Sequence, residues 1–304
     1  MPVDRAPTPL ADPGGSLRDL LRDASRALGR AGVEAPERDA RLLAAAAVGC
    51  SGADLIARPE QPIDEAARAR LGDFVRRRCA REPVSRILGA REFYGRAFAL
   101  STATLDPRPD SEVLIEAVLQ FVAAKGWRDR SLRVLDVGTG SGCLLVTLLA
   151  ELPSATGVGT DIAQGALDAA AANARQHGVS ERAVFVHARG RGLESVVGPF
   201  DIMVSNPPYI ASDDIPGLAP EVRDFDPRAA LDGGADGLRV YRQIIPEIAR
   251  VLPYGYVAFE VGAGQADAVE KLLRASIDLG CRGKTVRHPD LGGHTRCVSM
   301  EIQL

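Results

Sequence analysis

The stretch Val134-Leu135-Asp136-Val137-Gly138-Thr139-Gly140-Ser141-Gly142 decides the architecture. Val134, Leu135 and Val137 make the dense apolar run of a strand buried on both faces. The glycines that follow let the chain turn tightly at the strand's carboxyl end and open a helix. Working outward, strands are expected at 132–137, 156–161, 183–187, 200–205, 255–261, 283–288 and 295–302. Helices are expected between them at 142–151, 163–177, 237–251 and 265–279. Such alternation gives an α/β fold with a mostly parallel sheet covered on both faces.

The glycine turn also points to a ligand. Asp161 closes the next strand, where a carboxylate can accept both hydroxyls of a ribose. The pattern is G-x-G-x-G, with Cys143 where the third glycine of a dinucleotide fingerprint would fall. Asp136, two residues before Gly138, disfavours a pyrophosphate and favours a cationic ligand. S-adenosylmethionine carries an amino group and a sulfonium, so it fits this turn better than a dinucleotide. The expected cofactor contacts are Asp136, Gly138, Thr139, Gly140, Ser141, Gly142, Asp161 and Asn206. No metal is expected.

Ser205-Asn206-Pro207-Pro208-Tyr209 follows the strand at 200–205 and faces the same crevice. The two prolines stiffen the backbone and remove two N–H donors, leaving their carbonyls as acceptors. The Asn206 amide oxygen is another acceptor, and Tyr209 supplies a flat apolar face. A planar –NH₂ group can donate one hydrogen bond to the Asn206 side chain and one to the Pro207 carbonyl. This holds its nitrogen against a methyl donor and offsets the positive charge developing there. Asn206 and Pro207 are therefore the catalytic candidates, and Asn206, Pro207, Pro208 and Tyr209 the substrate contacts. Adenine N6 and a glutamine side chain both satisfy this motif.

The rest of the chain narrows the classes. Of 304 residues, 46% are apolar and 25% charged, enough for a large core and two domains. Met1 to Gly15 is proline-rich without an apolar core, so a disordered tail is expected over 1–15, and not a signal peptide. Cys50, Cys79, Cys143, Cys281 and Cys297 form no C-x-x-C pair, which fits a reducing cytoplasm. Net charge is −3, which argues against a nucleic-acid partner, and no apolar stretch is long enough to cross a membrane. Residues 16–89 read as a helical bundle: Leu17, Leu20, Leu21, Ala24 and Leu28 after a Ser16 cap, then Pro36 to Gly49, then Asp64 to Arg81. Its basic run, Arg76, Arg77, Arg78 and Arg81, reads as a solvated helix face, with a docking surface for an acidic partner as the rival. Residues 91–105 read as a hairpin around Gly95.

From about Glu82 onward the chain resembles the HemK/PrmC family, the peptide chain release factor N5-glutamine methyltransferases. The resemblance is carried by Arg91-Glu92-Phe93-Tyr94, the signature Thr104-Leu105-Asp106-Pro107-Arg108-Pro109-Asp110-Ser111-Glu112, and Asn173. Asn206 to Tyr209, Asp226-Pro227-Arg228, Gly233-Gly234-Ala235-Asp236-Gly237 and Glu260-Val261-Gly262 with Gln265 extend it. The segments at 107–112 and 232–238 favour the glutamine branch over adenine methyltransferases. The resemblance implies a seven-stranded Rossmann-like S-adenosylmethionine-dependent methyltransferase domain (110–304). A hairpin linker (90–109) would join it to a helical substrate-docking domain (16–89). It implies a bacterial-type class I release factor as partner and the glutamine of its Gly-Gly-Gln loop as target. It places Gly138, Thr139, Gly140 and Gly142 at the methionine moiety, Asp161 at the ribose and Asn206 to Tyr209 at the glutamine.

Two departures stand out. His187-Ala188-Arg189-Gly190-Arg191-Gly192 replaces the family's Asp–aromatic pair at the adenine. Arginine has no acceptor for an adenine amino group, so weakened or re-routed adenine recognition is expected. A catalytically weak scaffold that binds the release factor would follow from the same change. Pro253-Tyr254-Gly255 replaces Pro-Gly-Gly, which would strain Tyr254 if that position needs positive φ.

Overall fold

The computed structural model describes residues 16–188, 193, 194, 196–277 and 284–303. The expected tail at 1–15, the altered run at 189–192 and Cys281 lie outside the described residues. The chain forms two compact units, Met1–Gly89 and Ala90–Leu304.

Among the described residues the first unit holds five helices: α1 (Leu17–Arg30), α2 (Pro36–Val48), α3 (Gly52–Ala57), α4 (Glu65–Cys79) and α5 (Val84–Leu88). Ser16 begins α1 with a capping box, its hydroxyl accepting from the Asp19 N–H while the Asp19 carboxylate accepts from the Ser16 N–H. Ser51 and Asp54 repeat the device at α3. Pro36 opens α2 and Gly49, left-handed, ends it. Leu17, Leu20, Ala24 and Leu28 then meet Leu43, Ala44 and Ala47, with Leu71 and Val75 of α4, in one core. Helices α3 and α5, six and five residues long, escaped the sequence reading because each is too short to show a helical period.

The arginine run is mostly committed inside this unit rather than to solvent or a partner. Arg78 is buried and donates to Asp39 at 2.9 Å. Arg77 pairs with Glu82 at 2.5 Å and Arg81 donates to the Gly32 carbonyl at 2.5 Å. Arg76, the most exposed of the pairs, meets Asp73 on its own helix. Periodicity placed these residues on a helix but could not reveal carboxylates and carbonyls brought in from elsewhere.

The second unit begins with a hairpin, β1 (Ala90–Phe93) and β2 (Arg96–Ala99), turned through Tyr94 (φ 50°) and Gly95 (φ 69°). Two successive left-handed residues suit the twist of a tight hairpin. The strands stop at Ala99, short of the expected 105, because Ser101 and Thr104 hydrogen-bond each other and turn the chain. Nor is the hairpin a free linker: Phe93 and Phe98 are buried in this unit's core.

After a 3₁₀ turn (Pro109–Ser111) come α6 (Glu112–Ala124), β3 (Arg133–Val137), α7 (Cys143–Glu151), β4 (Thr156–Asp161), α8 (Gln164–Gln176), β5 (Ala183–His187) and β6 (Ile202–Ser205). Then follow α9 (Pro220–Arg223), α10 (Arg239–Ile244), α11 (Ile248–Val251), β7 (Tyr254–Glu260), α12 (Ala266–Ile277), β8 (Thr285–Pro289) and β9 (Thr295–Gln303). The single helix expected over 237–251 is interrupted by a 3₁₀ turn at Ile245–Glu247, where Pro246 lacks the N–H that would continue it.

The seven strands lie in the order β5-β4-β3-β6-β7-β9-β8. β3 to β7 pair parallel, and β9 runs antiparallel to β7 and β8. The chain winds outward from β3 to β5, then returns to β6 on the other side of β3. That reversal opens a crevice at the carboxyl ends of β3 and β6. One face of the sheet is packed by α6, α7 and the hairpin, the other by α10, α11 and α12 around the buried Tyr241.

Tyr254 is not strained. It is exposed at the start of β7, and the described non-glycine residues with positive φ are Arg81 and Tyr94. The demand falls one residue later, on Gly255 (φ 146°), where a Cβ would run into the Asp201 carbonyl.

Candidate active site

The glycine turn between β3 and α7 lies at the crevice, and the end of β4 takes up most of its N–H groups. Gly138 and Thr139 donate to the Thr160 carbonyl at 2.9 and 2.8 Å, Gly140 to the Asp161 carboxylate at 2.9 Å, and Gly142 to the Thr139 carbonyl at 2.8 Å. An anion-binding turn would present those donors to its ligand. This one turns them inward and leaves acceptors.

Asp136 is wholly buried at the end of β3. Its Oδ2 accepts from the Thr139 hydroxyl at 2.7 Å, while Oδ1 is buried without a partner. Burial pushes its carboxyl up to about 7, against the pull of Thr139. The hydroxyls of Ser141 and Thr160 are likewise buried and unpartnered. Three orphaned polar atoms around one turn match a ligand carrying an ammonium and hydroxyl groups. The Asp161 carboxylate also accepts from the Ala163 N–H at 2.9 Å and keeps lone pairs for a diol.

Across the crevice, Asn206 to Tyr209 leave β6. The Ser205 hydroxyl donates to the Val137 carbonyl at 2.7 Å, fastening the end of β6 to the end of β3. Asn206 Nδ2 donates to the Ser111 hydroxyl at 3.2 Å. Its Oδ1 accepts from none of the described residues, and neither does the carbonyl of the buried Pro207. The Tyr209 hydroxyl donates to Glu260 Oε1 at 3.3 Å, and the Gln265 side chain donates to the Tyr209 carbonyl at 2.8 Å. The segment 231–234 runs alongside: Ile210 N–H donates to the Leu231 carbonyl at 3.0 Å and Gly233 N–H to the Ile210 carbonyl at 2.8 Å.

The sequence-derived candidates therefore converge on one crevice, Asp136 to Gly142 and Asp161 on one wall and Asn206 to Tyr209 on the other. The structure adds residues that were not among those candidates. Asn173 of α8 is fully buried; its Nδ2 donates to the Ser141 carbonyl at 2.8 Å and the Ala99 carbonyl at 3.0 Å, and its Oδ1 accepts from the Ala99 N–H at 2.9 Å. It was visible as one polar residue on the apolar stripe Ala166, Ala170, Ala174. Asp226, also buried, accepts from the Asp106 N–H at 3.2 Å and from Arg108 at 2.9 Å, so it braces the signature segment. Ser111 and the pair Glu260 and Gln265 come from two remote stretches, and spacing gives no sign that they meet. Among the described residues no cluster could hold a metal ion, and no helix is long and apolar enough to cross a membrane.

Residues 19–89 match the PrmC N-terminal domain and residues 134–225 match a methyltransferase domain. A release factor glutamine methyltransferase of Bradyrhizobium diazoefficiens is 43% identical over 293 residues, 95% of this chain and 97% of that one. Its counterpart in Rhodospirillum rubrum is 49% identical over 270 residues, 88% and 79% of the two chains. Among solved structures, the hMettl16 catalytic domain in complex with a MAT2A 3′UTR hairpin matches with a TM-score of 0.54 over 69% of this chain. At 16% identity that likeness is one of fold. With nearly full-length identity above 40% and a methyltransferase crevice whose two walls carry the expected motifs, the chain belongs to the release factor glutamine methyltransferase family.

Proposed function

We propose that this enzyme moves the methyl group of S-adenosylmethionine onto the side-chain amide nitrogen of the glutamine in the Gly-Gly-Gln motif of bacterial-type class I release factors, in the cytoplasm. The observation that carries the reading is the pair of unused acceptors, Asn206 Oδ1 and the Pro207 carbonyl, beside a turn lined with orphaned polar atoms. An amide –NH₂ has two hydrogens to give, and the two acceptors take both.

The orphaned atoms fit the cofactor. Asp136 and Ser141 would hold its amino acid end, the turn from Gly138 to Gly142 would border it, and Asp161 would hold the ribose. When bound, it supplies an electrophilic methyl on a sulfonium. Asn206 and Pro207 fix the nitrogen in line with that methyl and oppose the charge that grows on nitrogen. Tyr209 covers one face of the planar amide. Proton loss follows transfer and needs no strong base, because a methylated, positively charged amide nitrogen is very acidic.

Asp161→Ala should weaken cofactor binding about 10-fold by calorimetry, on the scale of one charge-assisted hydrogen bond. Turnover at saturating cofactor should change far less. The reading itself is tested by transfer of labelled methyl to a purified release factor, with the Gly-Gly-Gln glutamine replaced in the control. Label lost in the control supports it; equal label on both proteins, or none on either, refutes it.

A further inference from the structure

The peptide unit between Ser141 and Gly142 belongs to the turn that would border the cofactor's amino acid end, and the chain itself leaves it free to rotate. Gly140 and Gly142, on either side of Ser141, are both left-handed, with φ of 56° and 79°. Glycine takes either sign of φ at little cost, so this peptide can turn over while the chain on either side stays in place. A trans peptide points its carbonyl and its N–H in opposite directions, so turning over exchanges them. A turn that populates both orientations is not a preformed site, and ordering it on binding weakens the affinity.

Both ends of this peptide are held. The Gly142 N–H donates to the Thr139 carbonyl at 2.8 Å, and the Ser141 carbonyl accepts from Asn173 Nδ2 at 2.8 Å. Asn173 is wholly buried on α8, one turn beyond Ala170, whose Cβ a Cβ on Gly142 would meet at 3.0 Å. The glycine turn thus rests on α8 through neighbouring residues of one face. The hairpin makes Asn173 a dependable donor. Ala99, the last residue of β2, donates its N–H to Asn173 Oδ1 at 2.9 Å and accepts at its carbonyl from Nδ2 at 3.0 Å. A backbone N–H only donates and a carbonyl only accepts, so reversing the amide would set oxygen against oxygen and N–H against N–H. One Nδ2 hydrogen goes to Ala99, and the other is left for Ser141.

We propose that Asn173 is a positioning residue for the cofactor: paired with Ala99 of the hairpin, its amide has one fixed orientation, and its second Nδ2 hydrogen locks the Ser141–Gly142 peptide in the form that receives S-adenosylmethionine. This rests on the cofactor reading above and adds the residue that preorganises the turn. The hairpin thereby takes part in cofactor binding, although none of its residues is among the candidate contacts.

The test compares full-length wild type, N173A, N173D and L273A. N173A removes every hydrogen bond from the Asn173 side chain. N173D keeps the volume and the acceptor for the Ala99 N–H, but sets a second oxygen where the Nδ2 hydrogens were. Leu273, fully buried on α12 in the core around Tyr241, serves as a control for lost stability. The measurements are S-adenosylmethionine affinity by calorimetry, the thermal midpoint, and kcat and KM for a release factor at saturating cofactor. N173A and N173D should bind the cofactor on the order of 10-fold more weakly, the scale of one hydrogen bond. Their KM for the release factor should stay within about twofold of wild type, because Asn206 to Tyr209 are untouched. L273A should lower the midpoint through its cavity, yet bind the cofactor within about twofold of wild type.

Cofactor affinity within about twofold of wild type in N173A and N173D would overturn the proposal. So would an affinity loss in L273A as large as theirs, which would make the effect one of general stability. If N173D does not fold, N173A decides: an unchanged cofactor affinity overturns the proposal, and a lowered one with unchanged KM supports it. Wild-type protein that binds no S-adenosylmethionine would overturn the cofactor reading and this inference together. Wild type that binds it, with N173A binding equally well, overturns the inference alone.

Discussion

Replacing Asn206 by alanine is expected to cut turnover on the order of 10²-fold or more, the range seen when one preorganised polar group facing developing charge is removed. In the proposed reaction two acceptors hold the target nitrogen, and the substitution takes away one of them. The remaining one, the Pro207 carbonyl, belongs to a backbone that the substitution leaves in place, so the amide would still bind but could rotate about a single hydrogen bond. The loss should therefore fall on kcat more than on KM, since orientation against the methyl is what is forfeited. Cofactor affinity should stay within about threefold, because the polar atoms that line the turn, Asp136, Ser141 and Asp161, are untouched. Labelled-methyl transfer at saturating release factor, with calorimetry for the cofactor, measures both. Near-wild-type turnover would remove Asn206 from the mechanism.

Gly237→Ala is expected to be nearly as damaging, although Gly237 has no side chain to lose. Its φ is 73°, where an L-residue is disfavoured by about 1–2 kcal/mol. A Cβ there would also overlap the Tyr209 carbonyl oxygen and the Gln265 side-chain amide. Those two groups form the 2.8 Å hydrogen bond that fastens the loop after Asn206. The backbone must move, and the loop carrying both acceptors moves with it. A displacement near 1 Å in such a constellation is enough for losses of about 10²-fold. Glutamine methylation should fall by that order with a lowered thermal midpoint, while the cofactor still binds. Wild-type kcat in the variant would show that the 231–237 segment is only a neighbour of the site. Gly233, four residues earlier, is also packed closely, against the Pro208 and Gly237 carbonyls.

Much of this is legible in the sequence. The two walls of the crevice are local motifs: a strand, a glycine turn and a closing aspartate on one side, and a strand followed by Asn-Pro-Pro-Tyr on the other. Their chemistry depends on residues adjacent in the chain, and alternation of strands and helices sets both at the same sheet edge. All seven strands of the sheet lie within two residues of where the apolar runs put them. The misreadings were of another kind. The arginine run looked like a surface because a helix period says nothing of Asp39, some forty residues away, or of the Gly32 carbonyl. Four-residue strands carry little apolar signal, so the burial of Phe93 and Phe98 in the core of the second unit is not legible from the hairpin's sequence.

Family, fold class and the motifs that line the crevice are thus determined by the sequence alone, through short-range patterns that admit few folds. The tertiary structure decided which atoms are left free. Asn206 is an acceptor toward the crevice because Ser111, from 95 residues earlier, occupies its nitrogen. The glycine turn is no anion site because the Thr160 carbonyl and Asp161 consume its donors. Tyr209 is set by Glu260 and Gln265, more than fifty residues later in the chain. Hydrogen bonds of that separation leave no periodic trace, because a buried polar group needs only a partner of opposite role at the right distance, wherever in the chain it originates.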